Sequence, residues 1–129
     1  ASLRDLAKPG VKLVVCAPQV PCGHASVEVA KAAGLTLRPV SEEQSVTDVL
    51  GKVLTGEADA GLVYRTDVKG AGDTVEGIEF PESSAAVNVY PIAVLKGSRN
   101  PALARAFVDA VTGPQGQAVL AAAGFEKAP

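Results

Sequence analysis

The side chains able to do chemistry are few: among 129 residues there are two cysteines, one histidine and two tyrosines, with no methionine or tryptophan. Cys16, Cys22 and His24 fall within one short stretch, CAPQVPCGH. A Ser-His-Asp arrangement would have to use His24, and its nearest thiol, two positions away, lies on a turn rather than held against the ring. A thiolate activated at a helix N-terminus is the other covalent chemistry this stretch could host. One histidine and two cysteines at this spacing form no structural zinc pattern, and neither G-x-x-x-x-G-K nor G-x-G-x-x-G occurs. No catalytic residue, metal ligand or cofactor is assigned on these grounds. The carboxylates Glu42, Glu43, Glu57 and Asp59 fall at element edges and read as solvated charge. Tyr64 differs, because it ends the apolar run AGLVY and carries a phenol that seeks a partner when buried. Tyr90 lies inside the run from Val87 to Leu95, beside Pro91, and reads as packing.

Short β-branched runs alternate with helical stretches, the pattern of βαβ units building a parallel sheet. Ser2 caps one helical turn that Pro9-Gly10 stops. Val11 to Cys16 reads as a strand buried on both faces, and a helix follows from His24 to Ala33 with Gly34 after its end. Leu35 to Val40 reads as a second strand. Ser45, with Asp48 three residues on, starts a helix whose Val46, Val49, Leu50, Val53 and Leu54 form one stripe. A third strand ends at Tyr64, with a helical turn at Thr66 to Val68. Thr74 to Phe80 and Val87 to Leu95 are further strands by pattern. Asn100-Pro101 opens a helix through Val111, and a last helix covers Pro114 to Ala123.

Open parallel sheets bind ligands beyond the carboxyl ends of their strands, where the following helices start. Those places are Val20 to His24, Gln44 to Val46 and Tyr64 to Thr66. The first N–H groups of a helix lack intrahelical acceptors and carry partial positive charge, so an anion is the natural guest. The alternative is that Ser45 only caps its helix and Gly23 only permits a tight turn.

Composition narrows the classes further. At 47% hydrophobic and 20% charged residues, the chain can bury a core as a soluble domain. A net charge of −2 with dispersed Lys and Arg disfavours nucleic acid as a partner. No apolar run reaches the ~18 to 20 residues of a membrane span. The opening Ala1-Ser2-Leu3-Arg4, without an initiator Met, reads as a cut, matured or excised chain.

Three stretches, DLAKPGVKLVVCAPQVPCGHAS, SVTDVLGKVLTGEADAGLVYRTD and VYPIAVLKGSRNPALARAFVDAVTGPQGQAVLAAAGF, together resemble the molybdate-binding proteins of bacterial ABC importers, two-lobed periplasmic binding proteins of the type II class. The resemblance covers most of the chain. It implies an α/β fold: a type II, three-layer lobe with a mixed, mostly parallel sheet at residues 1–86, and at 87–129 a C-terminal strand and helices that belong to the other lobe. It implies a small oxyanion ligand, molybdate or tungstate, held by the backbone N–H of Cys22 and of Val46 and by the Tyr64 hydroxyl. Cys22 stands where the family has a small residue, a departure that a backbone contact survives. Two serine-bearing loops of the family's first lobe have no counterpart here. The implied partners are a membrane permease with its ATPase. The implied location is outside the cytoplasm, in the periplasm or on a cell-surface lipoprotein, and in such an oxidising compartment Cys16 and Cys22, at the two ends of a short turn, are expected to form a disulfide. An effector-sensing domain of a transcription regulator is the alternative sharing that fold. Finally, without its lobe the tail is expected to expose Val89, Ile92, Phe107, Val108, Val111 and Leu120, and so to fold back on the rest of the chain, pair with a second copy or lie beside a segment outside this sequence.

Overall fold

A computed structural model describes residues 2–127, and the chain divides into two compact units, Ala1–Val87 and Asn88–Pro129. In the first, β1 (Leu13–Cys16) is buried along its whole length, as an uninterrupted LVVC run requires when both faces are covered. It lies between β2 (Ser41–Glu43) and β3 (Ala60–Gly61), parallel to both, with Val14 opposite Ser41 and Leu13 opposite Ala60. α1 (Pro21–Ala32) connects β1 to β2, and α2 (Val46–Leu54) connects β2 to β3.

Strand alternation sorts the side chains onto two faces. Val14 and Cys16 pack with Cys22, Val49 and Ala58. On the other face Val29 of α1 and Ala33, just after it, pack with Leu3, and Leu6, Leu35, Leu62, Phe80 and Ala86 close that cluster. Gly61 and Leu62 point opposite ways: a Cβ on Gly61 would come within 2.7 Å of Val49 Cγ1, so only glycine lets α2 lie this close to the sheet. Leu62 instead joins the Val29 cluster. The unit is thus an α/β layer structure with helices on both faces of a small sheet. α3 (Arg65–Ala71) follows β3, and a 3-10 turn at Pro81–Ala86 packs against α1.

Several expectations are corrected here. All the described strands pair in parallel, so the sheet is not mixed. The second strand is the polar Ser41–Glu43 rather than Leu35 to Val40. Residues 35–40 form the connection from α1, with Leu35 plugging the Val29 cluster and the Val40 N–H donating to the Leu13 carbonyl at 2.8 Å; their apolar character serves the core, not a ladder. α1 begins at Pro21 rather than His24, because proline at the first helical position loses no hydrogen bond and already has a helical φ. Thr74 to Phe80 forms no strand. Gly77 lies where a Cβ would meet Val68 Cγ1 at 2.6 Å, and Glu79 pairs with Arg65 at 3.2 Å, so this segment runs against α3. Glu43, read as solvated, is ion-paired.

The second unit contains α4 (Pro101–Thr112) and α5 (Pro114–Ala122), hinged at Gly113. They pack on each other so closely that a Cβ on Gly116 would collide with the Ala110 and Val111 carbonyls, and Gln117 Nε2 donates to the Val111 carbonyl at 3.1 Å. The predicted C-terminal strand, Val87 to Leu95, is absent: the segment has no ladder, since the described residues of this unit supply no strand to pair with. Tyr90 meets Phe125 edge to face, 5.8 Å between ring centroids. Of the six tail residues expected at the surface, Val89, Ile92 and Phe107 are exposed, while Val108, Val111 and Leu120 are half-buried.

Candidate functional site

The order β2-β1-β3 means that the chain leaves β1 toward one edge and returns to the other, which makes the carboxyl end of β1 the switch point of the sheet. α1, α2 and α3 each start just beyond a strand end, and Cys22, Val46 and Tyr64 stand at those starts. Cys22 is the second residue of α1, whose first intrahelical bond runs from the His24 N–H to the Val20 carbonyl at 2.9 Å. Its own N–H and that of Gly23 therefore have no acceptor within the helix. Val46 is the first residue of α2. Ser45 Oγ accepts the Asp48 N–H at 3.2 Å and donates to Asp48 Oδ2 at 2.7 Å, which leaves the N–H groups of Val46 and Thr47 without a helical acceptor. Tyr64 precedes α3, and its own N–H donates to Asp67 Oδ2 at 2.9 Å.

These residues share one core cluster. Cys22 belongs to the buried cluster of Val14, Cys16, Val49 and Ala58, and Val46 and Tyr64 both pack against that cluster. A disulfide joins Cys16 to Cys22, with Cα atoms 5.6 Å apart. Gly23 fits under α1 only because it has no side chain, since a Cβ would fall on the Ala17 carbonyl.

Two of the three helix starts carry a carboxylate in their first turn, Asp48 and Asp67. No Lys or Arg lies in residues 17–24 or 44–47. Arg65 stands at the third helix start, with its guanidinium Nε 3.2 Å from Glu79. Away from the helix starts, Lys52 Nζ reaches Glu43 Oε1 at 2.6 Å and Ser41 Oγ at 2.8 Å, and Ser41 Oγ donates to the same carboxylate. The hydrogen bond from Lys52, then that from Ser41, holds the Glu43 carboxyl below its ordinary value, and Glu43 holds the Lys52 ammonium above its own. A cavity of about 490 Å³ opens at the amino end of β1, lined by Leu6, Val11, Lys12, Arg38 and Val40 among others. It lies at the end of the sheet opposite the three helix starts. Among the described residues no group of three or more His, Cys, Asp or Glu side chains is placed to hold a metal ion, and no helix is long and apolar enough to cross a membrane.

Asp67 is the residue of this site that the sequence reading passed over. The signal was the Tyr-x-x-Asp spacing, in which a carboxylate at the third helical position reaches back to the N–H of the residue before the helix.

The family model for bacterial extracellular solute-binding proteins matches residues 1–126. The chain is 53% identical over 126 residues to the molybdate-binding protein ModA of Mycobacterium tuberculosis and to that of Mycobacterium bovis, covering 98% of this chain and 48% of each relative. It is 33% identical over 120 residues to the molybdate-binding protein ModA of Escherichia coli, covering 90% of this chain and 46% of that one. The chain thus spans about half the length of the curated relatives it matches. No solved structure matches it. With the family model running through both units, this chain belongs to the bacterial extracellular solute-binding proteins.

Proposed function

We propose that this protein captures molybdate or tungstate as the substrate-binding component of an ABC importer, with the anion held by the backbone N–H groups of Cys22 and Val46 and by the Tyr64 hydroxyl. The observation that carries this reading is that a residue at each of three helix starts, beyond the carboxyl ends of parallel strands, belongs to or packs against one buried cluster. Oriented backbone dipoles stabilise a dianion without a counter-charge. Such donors, fixed to helix starts over a packed core, select by oxyanion radius, because a smaller anion leaves some of them short of hydrogen-bond distance. The names of the relatives support the choice of molybdate, and none of them supports the regulator alternative.

In this reading residues 1–86 form one lobe of a two-lobed receptor, and residues 87–129 return to the other. The receptor works outside the cytoplasm, in the periplasm or as a cell-surface lipoprotein, and delivers its ligand to a membrane permease with its ATPase. The disulfide fits an oxidising compartment. Calorimetric titration of the full-length gene product with molybdate, tungstate, sulfate and phosphate tests the proposal. Molybdate and tungstate bind far ahead of the other two, and equal or stronger binding of sulfate overturns it.

A further inference from the structure

We propose that the Cys16–Cys22 disulfide is a positioning element for oxyanion recognition, setting where the first turn of α1 presents its N–H groups; this role rests on the ligand reading above. The bond joins the two parts that must be held in register. Cys16 is the last residue of β1, paired with Glu43 across the ladder and almost wholly buried. The Ala17 N–H extends that anchorage by donating to the Glu43 carbonyl at 2.8 Å. Cys22 lies six residues on, one position into the helix. Between them Pro18 and Gln19 are exposed, and the turn is closed by one hydrogen bond, from the Val20 N–H to the Ala17 carbonyl at 3.1 Å.

Without the bond nothing covalent fixes the spacing of the two anchors, and in the reduced protein the two sulfur atoms also keep van der Waals separation rather than bonding distance, so the anchors shift. The strand end is held by its ladder, whereas the helix start is held by side-chain packing of Cys22 in the cluster, with the exposed turn behind it. It cannot settle inward, because Gly23 already rests against the Ala17 carbonyl. The displacement therefore falls on Cys22 and Gly23, whose N–H groups lack helical acceptors. It also spreads, since Val46 and Tyr64 pack against the same cluster that contains both cysteines. Donors displaced by a fraction of an ångström lose affinity and, more tellingly, lose discrimination between anions of different radius.

The test compares three forms of the full-length gene product in calorimetric titrations with molybdate and with sulfate: the disulfide-bonded protein, the Cys16→Ala/Cys22→Ala double variant, and a Val29→Ala variant that thins the other core cluster. Should the double variant fail to fold, protein reduced with dithiothreitol takes its place, with two free thiols confirmed by alkylation and mass. There the reagent's two thiols close into its own cyclic disulfide, and their two electrons and two protons leave Cys16 and Cys22 as thiols. Loss of the bond weakens molybdate binding at least tenfold and narrows the molybdate-to-sulfate ratio, while Val29→Ala lowers the melting temperature and leaves both quantities in place. Unchanged affinity and ratio without the bond overturn the positioning role, and so does an equal loss in Val29→Ala, which makes the effect one of general stability. Absence of molybdate binding in the disulfide-bonded protein overturns the ligand reading itself, and this role with it.

Discussion

The two units are built from similar apolar material and use it differently. Every residue of the buried core lies between Leu3 and Ala58, in the first unit, where Leu13, Val14 and Val49 are wholly enclosed. In the second unit no described residue is buried: Leu103 stays 71% exposed, Phe107 65% and Val119 70%. The first unit has a sheet whose two faces give each amphipathic helix something to cover. The second has two helices and an extended segment, enough to pack α4 on α5 but too little to enclose a side chain. Helical amphipathicity therefore records that a face is made for burial, and says nothing of whether this stretch of chain supplies the cover.

The strongest test of that contrast is a pair of truncations in the 129-residue chain. Leu13→Ala, at a site with no exposure, costs about 2 to 5 kcal/mol in urea unfolding. Leu103→Ala changes stability by no more than about 0.5 kcal/mol. Equal losses break the contrast, because they mean that Leu103 is covered in solution.

Within the first unit the helix starts can be separated from the core beneath them. Tyr64→Phe lowers molybdate affinity of the full-length protein by about 1.5 to 3 kcal/mol, the loss of a hydrogen bond to a charged ligand, with little change in melting temperature. Tyr90→Phe, in the second unit, leaves affinity unchanged. If the two tyrosines behave alike in titration, the assignment of the site to the first unit fails.

Removing the disulfide costs about 2 kcal/mol of stability, the chain-entropy value for so short a loop. Chemical unfolding of the double alanine variant measures it. A loss near zero shows that the turn from Ala17 to Pro21 is already ordered by the packing of Gly23 on Ala17.

The smallest effect concerns acid and base. With the Glu43 carboxyl held below its ordinary 4.5, its pairing stabilises the fold above that pH, and the contribution is lost as pH falls through the lowered value. Lys52, raised above 10.5, contributes below that pH and loses it as pH rises through the raised value. Lys52→Met flattens both limbs of the urea midpoint against pH. Part of the acid limb survives the substitution, because Asp5, brought to about 2 chiefly by its hydrogen bond from Lys8, titrates in the same direction. An unaltered profile shows that the Lys52 pair, which is part-exposed at β2, is fully screened by solvent.

What the sequence determined by itself was local or was written in residue type. The LVVC run, the Ser45 cap with Asp48 and the proline starts of α4 and α5 mark β1 and three helices, because burial on both faces, capping and proline geometry act over a few residues. Local pattern likewise marks Val20 to His24, Gln44 to Val46 and Tyr64 to Thr66 as helix starts beyond strands, while the choice of Cys22 and Val46 within those stretches comes from the family resemblance. Tertiary structure decided the rest. β2 is the polar triplet Ser41–Glu43 because the ladder of β1 recruits whichever residues arrive beside it, and the apolar residues before it are spent on plugging the core. Val87 to Leu95 has the pattern of a strand and is not one, since a strand exists only by the hydrogen bonds of a neighbour. Glu43 reads as solvent-facing charge until α2 brings Lys52 to it across nine residues, and only the packing of Val49 against Gly61 shows why a glycine stands in β3. Pattern along a chain reports what each residue can do; which partner stands opposite is settled by the packing of segments that are far apart in sequence.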